Sequence, residues 1–362
     1  MIIQASAAVV DGSLLDQVWI ETSKGLITSI NKGRHDFPDV STDGVLIPGF
    51  IDIHCHGGAG SYFSDASKVR EVIKIHKDHG TTGIVASLVT ENIEDLKAQI
   101  AALVPFYKSG EILGIHLEGP YLSHARCGAH EPSLLINPDI AEIKELIEVG
   151  AGAISMITIA PELPGAIEAI KYLSAAGIKV AIGHTDGNFT DAAAGTNAGA
   201  SIVTHFMNAM SKEKIEGSIS SFVLVDERLS VELILDGHHV PFNTASEIVQ
   251  AIGDRIVLVT DAMAAAGSVD GNYSIGKLAV TVQNSVARLQ SNGALAGSTL
   301  TMDKAFVNAI NDCGVSIEQA VSMCSTNPAK AIGVKDRGSI EVGMRADLLS
   351  YNSTSGAIKV IS

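Results

Sequence analysis

Aromatic and charged residues are both scarce in this chain of 362 residues. Phe, Trp and Tyr together make up 4% of the sequence and charged residues 18%, whereas hydrophobic residues reach 46%. Disordered chains combine low hydrophobicity with high net charge, so this composition predicts a globular protein with a large buried core. The preference for Ala, Gly, Ile and Val over aromatic residues favours a parallel α/β protein, whose strands are covered on both faces.

Basic residues are also in short supply. Lys and Arg number 25 against 40 Asp and Glu, which gives a formal net charge of −15. A nucleic-acid surface needs clusters or stripes of Lys and Arg to meet the phosphate backbone, and no such stripe is visible. We therefore expect no nucleic-acid partner.

Cysteines and long apolar runs are scarce as well. Cys55, Cys127, Cys313 and Cys324 form no CxxC pair, and a chain of this size does not need a disulfide framework. No apolar run reaches the roughly 18 residues that a membrane span requires, and the first residues lack the pattern of a secretory signal. These features predict a cytoplasmic protein without a membrane partner.

What the sequence does contain is an alternation of short β-rich runs with amphipathic helical stretches. Eight such units predict a (β/α)₈ TIM barrel. A doubly wound sheet is the alternative, but no GxGxxG turn follows the first strand. The predicted strands are residues 50–56, 83–89, 112–119, 153–161, 179–184, 201–206, 230–237 and 255–262.

The two ends of the chain have a different character. Residues 1–48 and the tail 338–362 alternate in the manner of strands and turns, without a helical period. Because both segments flank the barrel at residues 49–337, we expect them to pair into one small β-sandwich domain.

A pair of histidines follows the first predicted strand, in "IPGFIDIHCHGGAG" at 47–60. Residues i and i+2 of a strand project from the same face, so His54 and His56 point the same way. Two such imidazoles can hold one metal ion, or they can be ordinary polar residues where a strand meets solvent.

Five of the other seven predicted strands also end in a histidine or a carboxylate. A barrel builds its site at the carboxyl ends of its strands, so these side chains should converge. His and carboxylate ligands suit divalent Zn, Fe, Mn or Co. We therefore predict a metal centre. Besides His54 and His56, the polar strand ends are Glu118, His184, His205, Asp236 and Asp261.

This pattern resembles the amidohydrolase superfamily of metal-dependent hydrolases, which also fits the composite β domain. Members commonly bridge two metals with a carbamylated lysine on strand 4, but "AISMITIAP" at 153–161 contains no lysine. This difference counts against a dihydroorotase or a hydantoinase, and Glu118 can bridge instead.

A closer resemblance is to the N-acetylglucosamine-6-phosphate deacetylases, and it runs in order from Pro48 to Asp347. The segments "HLEGP" and "NAM" are specific in combination, whereas "HxH" or "TDA" alone would be weak. The matching segments are "LGIHLEGPYLS", "GAHEP", "GHT", "THFMNAMS", "DGHHV", "LVTDA" and "LAGSTLTM".

The resemblance implies a role for each matched position. Glu118, His184 and His205 would hold the metal that the group always keeps, and His54, His56 and Asp261 a second one, so we expect one or two divalent ions, zinc first. Asp261 would be the catalytic acid and base. The implied substrate-binding residues are Ala129, His130, Asn208, Ala209, His239, Leu295, Ala296, Gly297 and Ser298.

One position departs from the group. After "NAM" these enzymes usually carry an arginine that contacts the substrate phosphate, and the ungapped count places Glu216 there. Either Lys212 or Lys214 takes over as a point charge, or the substrate carries no 6-phosphate. The intact substrate motifs favour the phosphosugar.

The resemblance thus predicts a homodimeric deacetylase that releases acetate from N-acetylglucosamine 6-phosphate. The alternatives are an epimeric or non-phosphorylated N-acetyl amino sugar, another amide hydrolase of the superfamily, such as one acting on N-acyl amino acids, and a non-enzymatic scaffold. A scaffold would normally have lost ligands, and none is lost here.

Overall fold

Eight parallel strands form the centre of the computed structural model, which describes residues 1–211 and 217–361. They follow one another around the sheet in chain order. The first and last strands meet through a bridge between Cys55 and Ala262, which closes the barrel. Barrel strands 1 to 8 are Phe50–Cys55, Thr81–Val89, Gly114–Glu118, Ile154–Ile159, Lys179–Ile182, Ile202–Val203, Ser230–Ile234 and Ile256–Val259. The predicted (β/α)₈ barrel is therefore confirmed.

Helices follow the strands and cover the barrel. Side-chain caps begin several of them, as at Asn188, which forms a capping box with Asp191. The helices are Val69–Asp78, Ile93–Lys108, Ile140–Gly150, Ala166–Ala175, Phe189–Ala198, Ile219–Val225, Phe242–Ile252, Met302–Cys313, Ile317–Val321 and Asn327–Ile332. Short 3₁₀ turns lie at His124–Arg126, Pro132–Leu134 and Gly253–Arg255, and one π-helical turn at Ser322–Thr326.

The barrel strands are mostly apolar and largely buried because both faces are covered. All six residues of Phe50–Cys55 and all four of Ile256–Val259 are buried. Their outer faces pack on the helices, as where the ring of Phe50 lies 5.3 Å from that of Phe306. Burial on both sides explains the continuous hydrophobic runs in the sequence.

Both chain ends contribute to one six-stranded sheet beside the barrel. Strand Leu348–Tyr351 from the tail pairs with Val40–Pro48 from the beginning, so the predicted pairing of the ends is confirmed. In spatial order the strands are Ile358–Val360, Leu348–Tyr351, Val40–Pro48, Ile2–Val10, Ser13–Ser23 and Leu26–Lys32. The division into domains at residues 48 and 338 stays a proposal.

A three-stranded antiparallel sheet follows barrel strand 8, and sequence reasoning did not predict it. It comprises Gly271–Ile275, Leu278–Gln283 and Val286–Leu289. A two-stranded ribbon, Gly57–Gly58 with Ser61–Tyr62, follows barrel strand 1. Within the described residues, no helix is both long and apolar enough to cross a membrane.

Candidate metal centre and cavity

The predicted ligands lie at the carboxyl edge of the barrel, but several strands end earlier than predicted. His184, His205 and Asp261 fall just beyond strands 5, 6 and 8. Their backbone φ angles are 47°, 27° and 47°, in the left-handed region that residues other than glycine rarely adopt. This change of backbone ends each strand, and such strained residues concentrate at functional sites.

Hydrogen bonds from neighbouring elements hold this backbone in place. The Asp261 N–H donates to the His54 carbonyl at 2.8 Å, and the Asp261 carbonyl accepts from the Ser298 N–H at 2.7 Å. The His184 carbonyl accepts from the Ser123 N–H at 2.9 Å. The positions of these side chains are therefore fixed by the barrel and by the segments that follow strands 3 and 8.

His54, His56 and Asp261 form a first cluster, which we call the HxH group. The Nε2 atoms of His54 and His56 lie 3.2 Å apart. Asp261 Oδ1 lies 3.6 Å from the first of these nitrogens and 3.3 Å from the second. The three donor atoms converge closely enough to bind one ion.

Glu118, His184 and His205 form a second cluster, which we call the Glu118 group. Glu118 Oε1 lies 3.1 Å from His184 Nε2 and 3.0 Å from His205 Nε2. The other carboxylate oxygen, Oε2, lies 3.0 Å from His56 Nε2. Because Oε1 also lies 3.5 Å from His54 Nε2, the Glu118 carboxylate contacts both groups and could be shared between them.

The hydrogen bonds around the rings determine which nitrogens can act as ligands. His54 Nδ1 donates to Glu232 Oε2 at 2.9 Å, and His184 Nδ1 donates to the Arg126 carbonyl at 2.9 Å. Both acceptors lack a proton, so the proton of each neutral ring is on Nδ1. Each Nε2 then directs a lone pair at the carboxylate oxygens around it. Such an arrangement is repulsive unless something positive lies between the atoms.

Either protons or a metal ion can supply that positive charge. Burial lowers the pKa of His56, but its hydrogen bonds to Asp261 and Glu118 more than compensate and raise the pKa to about 9. A divalent cation is the alternative, since imidazole nitrogens and carboxylate oxygens are the ligands that zinc and related metals prefer. Nδ1–H groups held by carboxylate or carbonyl oxygens are also typical around metal-bound histidines. The residues present therefore fit a divalent metal.

The two carboxyl groups of the cluster are held as carboxylates. Burial raises the pKa of Glu118, but the charge of His54 and the contacts with His130 and His184 bring it well below its usual value. Burial raises the pKa of Asp261 too, and the His56 hydrogen bond with the charges of His54 and His56 lowers it overall. Both groups can therefore accept a cation or a proton.

His130 lies close to the Glu118 group but is not a suitable ligand. Its Nδ1 accepts a hydrogen bond from the Thr90 N–H at 3.3 Å, so a neutral ring carries its proton on Nε2. That nitrogen lies 3.3 Å from Glu118 Oε2, to which it can donate. Although His130 lies close enough to Glu118 and His184 to complete a group of possible ligands, this proton position disfavours it as a ligand, and its substrate role stays a prediction.

A cavity of about 330 Å³ opens directly onto these side chains. His56, Glu118, His184, His205 and Asp261 form its metal end. The remaining walls come from loops and include most of the predicted substrate residues, namely Ala129, His130, Asn208, Ala209, His239, Leu295 and Gly297. The metal ligands and these residues thus share one cavity.

Two predicted substrate residues do not line this cavity. Ala296 is completely buried and packs with the three-stranded sheet. The Ser298 hydroxyl donates to the Thr260 carbonyl at 2.5 Å, and the Ser298 N–H donates to the Asp261 carbonyl. Ser298 therefore stabilises the backbone of Asp261. The predicted phosphate residues Lys212, Lys214 and Glu216 lie outside the described part of the chain.

His239 faces the cavity from the loop after barrel strand 7. Its Nδ1 donates to Asp236 Oδ2 at 2.7 Å, which leaves Nε2 available to a ligand. The Asp236 carboxylate also accepts from the N–H groups of His238 and His239, both at 2.8 Å. His238 is absent from the cavity lining.

Several contributors to the site were not predicted from the sequence, among them Glu232, Arg126 and Ile275. Glu232 is buried behind His54, Arg126 lines the cavity mouth, and Ile275 reaches the cavity from the three-stranded sheet. A carboxylate inside an apolar strand, "SVELILDG", was the available signal for Glu232. The other two depend on loop geometry, for which the sequence contains no periodic signal.

Other buried histidines and cysteines have structural partners. His116 contacts the hydroxyls of Ser87 at 3.0 Å and Thr158 at 2.8 Å. His76 Nε2 lies 2.9 Å from the Gly57 carbonyl and so carries a proton there, although Asp52 and Cys55 are close enough to complete a cluster of possible ligands. We assign no metal to these residues.

The comparisons with known proteins agree with this geometry. A sequence model described as the amidohydrolase family matches residues 45–359. The N-acetylgalactosamine-6-phosphate deacetylase of Escherichia coli O157:H7 is 33% identical over 360 residues, which covers 97% of this chain and 95% of that protein. The N-acetylglucosamine-6-phosphate deacetylase of Vibrio furnissii is 34% identical over 316 residues, covering 85% and 79%.

Solved structures show the same similarity in three dimensions. The N-acetyl-D-glucosamine-6-phosphate deacetylase of Mycobacterium smegmatis is 37% identical and superposes with a TM-score of 0.96, covering 100% of this chain and 98% of that one. A mutant of that enzyme in complex with N-acetyl-D-glucosamine-6-phosphate has the same TM-score and identity and covers 97% of that chain.

Proposed function

The chain belongs to the amidohydrolase family, and from that premise we propose that it is a metal-dependent deacetylase. It hydrolyses the acetamide of N-acetylglucosamine 6-phosphate to acetate and the amino sugar phosphate. One observation carries the proposal: three ligand histidines and two carboxylates line one cavity, with His54 buried beside them, and the segments that match the phosphosugar deacetylases line the same cavity.

The metal would be held by the residues of the HxH group and the Glu118 group. A bound divalent cation lowers the pKa of water towards about 7 and polarises a carbonyl oxygen, which is the chemistry that an unactivated amide requires. Glu118, His184 and His205 would hold one ion. His54, His56 and Asp261 would hold the second, with Glu118 shared between them.

Asp261 moves the proton in this proposal. Its carboxylate lies beside the ligand atoms, with 8% of the residue exposed at the cavity wall, where an attacking water would lie. The carboxylate accepts a proton from that water while the oxygen of the water adds to the acetamide carbon. It then donates the proton to the amide nitrogen as the carbon–nitrogen bond breaks, so that a neutral amine leaves.

Side chains of the cavity orient the sugar relative to Asp261. His239 Nε2 can form a hydrogen bond with the sugar. The His130 Nε2–H group, which contacts Glu118 in the structure, can donate to the sugar. The Asn208 side chain and the small residues Ala129 and Gly297 leave room for a hexose ring beside the metal end. Holding the acetamide in the correct geometry supplies part of the rate acceleration.

The sugar epimer and the phosphate are the finer parts of the proposal. Relatives at almost equal identity act on N-acetylglucosamine 6-phosphate and on N-acetylgalactosamine 6-phosphate. The second candidate is therefore the galacto epimer. A non-phosphorylated sugar is the third, because Glu216 replaces the arginine of the group.

An acetate-release screen with metal-loaded protein distinguishes these substrates. We expect the highest kcat/KM for N-acetylglucosamine 6-phosphate among the gluco, galacto and manno epimers, each assayed with and without the 6-phosphate. N-acyl amino acids serve as the control for a different amide hydrolase. Acetate or acid release from the amino acids alone would overturn the proposal.

Zinc as the metal and a homodimeric assembly are further parts of the proposal, and both rest on the resemblance. Metal analysis of protein purified without added metal tests the first, with Fe, Mn and Co as the other outcomes. Sedimentation of the purified protein tests the second. A cytoplasmic location stays a prediction.

A further inference from the structure

Glu232 is a buried carboxylate to which the proposed reaction assigns no role. It lies in barrel strand 7 and is completely inaccessible to solvent. Its Oε2 atom accepts hydrogen bonds from His54 Nδ1 at 2.9 Å and from the His205 N–H at 3.1 Å. Its other oxygen, Oε1, has no hydrogen-bond partner among the described residues.

Burying such a group is costly unless positive charge compensates it. Within residues 1–211 and 217–361, Glu232 forms an ion pair only with the His54 ring. No lysine or arginine contacts the carboxylate in that part of the chain. Besides the His205 N–H, the His54 ring is the contact through which a cation at His54 Nε2 would compensate the carboxylate.

The two hydrogen bonds connect Glu232 with both ligand groups. Through Nδ1 it fixes the tautomer and orientation of His54, which belongs to the HxH group. Through the backbone N–H it supports His205, whose φ of 27° is one of the unusual angles of the site. A single side chain thus touches one ligand from each group.

The carboxyl groups around the ligands favour the same conclusion. Glu118 and Asp261 are held as carboxylates, and Glu232 adds a third buried carboxyl group. Asp52, a fourth, accepts a hydrogen bond from the His54 N–H at 3.2 Å. Buried carboxyl groups need compensating positive charge, so this surplus favours a cation in each of the two ligand groups.

We propose that Glu232 is a positioning residue that makes the HxH group bind a metal ion. It holds the His54 ring with Nε2 unprotonated and supplies the negative charge that a second cation needs. This inference rests on the metal centre of the proposed function, but it can be tested by metal binding without any substrate.

The test is a calorimetric titration of metal-free protein with Zn²⁺. We expect the wild-type protein to bind two equivalents. Glu232→Gln keeps a hydrogen-bond acceptor but removes the carboxylate. It should lower the affinity for one equivalent of zinc about 10- to 100-fold, the effect typical of losing a carboxylate–histidine contact next to a metal. The other equivalent should stay within about fivefold of wild type. Glu232→Ala should weaken the same equivalent further.

A matched control is Glu91→Gln, because Glu91 is also largely buried but pairs with Lys277 at 3.2 Å and not with a ligand. It should bind zinc like wild type. The Co²⁺ absorption spectrum gives a second readout, which should lose the contribution of one site in Glu232→Gln.

Wild-type affinity for both equivalents in Glu232→Gln and in a folded Glu232→Ala would overturn the inference. So would a wild-type protein that saturates at one equivalent. A protein that binds zinc as expected but releases no acetate would refute the proposed function alone.

A second inference concerns the phosphate and depends on a different residue, Arg126. Among the described residues of the cavity wall, Arg126 is the one Arg or Lys side chain. Its Nε donates to Asp186 Oδ1 at 2.8 Å, and its two Nη groups have no hydrogen-bond partner in the described chain. The Arg126 carbonyl accepts from His184 Nδ1 at 2.9 Å. This hydrogen bond fixes the backbone of Arg126 next to a residue of the Glu118 group.

The arrangement suits an anion at the cavity mouth. Asp186 holds the guanidinium group by one edge, and the remaining N–H donors are free to form the paired bonds that arginine makes with phosphate. We infer that Arg126 contacts the 6-phosphate of the substrate. The inference rests on the proposed function. It assigns recognition of the substrate phosphate to Arg126 and not to Lys212 or Lys214.

The test compares kcat/KM for N-acetylglucosamine with and without its 6-phosphate. Arg126→Met should lower kcat/KM for the phosphosugar at least about tenfold, mainly through KM, as expected for the loss of a charge-assisted hydrogen bond. The unphosphorylated sugar should change less than about twofold. Arg126→Lys should restore part of the difference. Arg228→Met is the control, because Arg228 pairs with Asp226 on the surface and lies outside the cavity lining.

Equal losses for both sugars, or no loss, would overturn this assignment. It would also fail if Lys212→Met with Lys214→Met produced the selective loss and Arg126→Met did not. If wild-type protein releases acetate from neither sugar, the proposed function fails. Calorimetric binding of glucosamine 6-phosphate to wild type and Arg126→Met then still tests the phosphate contact.

Discussion

The metal end and the sugar end of the cavity are built by different parts of the fold. At the metal end, the ligands belong to barrel strands or follow them directly, and all are at least nine-tenths buried. At the sugar end, the lining comes from loops and from the three-stranded sheet that begins at Gly271. In the proposed function, the barrel therefore positions the metal ligands, and the loops and the three-stranded sheet around it position the substrate. Active sites of (β/α)₈ barrels are generally divided in this way.

The largest effect should come from the metal end, at Asp261, which we propose transfers the proton. Asp261→Asn should keep the fold and most of the metal but lower kcat by about three orders of magnitude, because no group then carries the proton to the leaving amine. Single-turnover acetate release and metal analysis check this prediction. A variant that retains more than about a tenth of wild-type kcat would refute the role of Asp261.

The next effect separates the two ligand groups from each other. Replacing His54 with Gln and His56 with Asn should lower the metal content from near two equivalents towards one. Activity should fall about 10- to 100-fold without disappearing, because the ligands of the Glu118 group remain. Metal analysis after gel filtration measures the first quantity and acetate release the second. Unchanged metal content in the double variant would contradict the assignment.

These two predictions concern residues that could be found from the sequence, and the reason is physical. Strand periodicity places His54 and His56 on one face, and the barrel rule places Glu118, His184, His205 and Asp261 at one edge. Both rules depend on backbone geometry that every such fold shares. The strand ends were predicted less well, because the left-handed backbone at His184, His205 and Asp261 ends the strands early.

The sugar end could be predicted only through the resemblance to a family. Asn208 and His239 were identified because their segments match, and no periodicity leads to them. Arg126 and Ile275 were missed for the same reason, since loop conformations are not encoded by a hydrophobic period. Glu232 was missed differently: its partner, His54, is far away in the sequence, and only the closed barrel brings the two together.

A smaller effect is expected from Glu216, which lies outside the described residues and which the ungapped sequence count places at the arginine position of the phosphosugar deacetylases. Glu216→Arg should raise kcat/KM for N-acetylglucosamine 6-phosphate about tenfold relative to the unphosphorylated sugar, by restoring a charge-assisted contact. The ratio of the two kcat/KM values measures it. A wild-type preference for the unphosphorylated sugar that Glu216→Arg reverses would show that the natural substrate lacks the phosphate.

The smallest effect should come from Cys127, in the loop that carries Arg126. A metal-dependent hydrolase needs no thiol nucleophile, and Cys127 is absent from the cavity lining. Cys127→Ser should therefore keep kcat within about twofold of wild type under reducing conditions. A loss of kcat comparable to that of Asp261→Asn would instead place a nucleophile at the sugar end and end the division between the two regions.

The most direct test of the account is removal and return of the metal. The central claim is that the strand-end ligands hold the metal on which hydrolysis depends. Protein dialysed against a chelator should stay folded, release no acetate from N-acetylglucosamine 6-phosphate, and recover activity as Zn²⁺ is added back, up to two equivalents per chain. Full activity in protein that contains no measurable metal would contradict the claim.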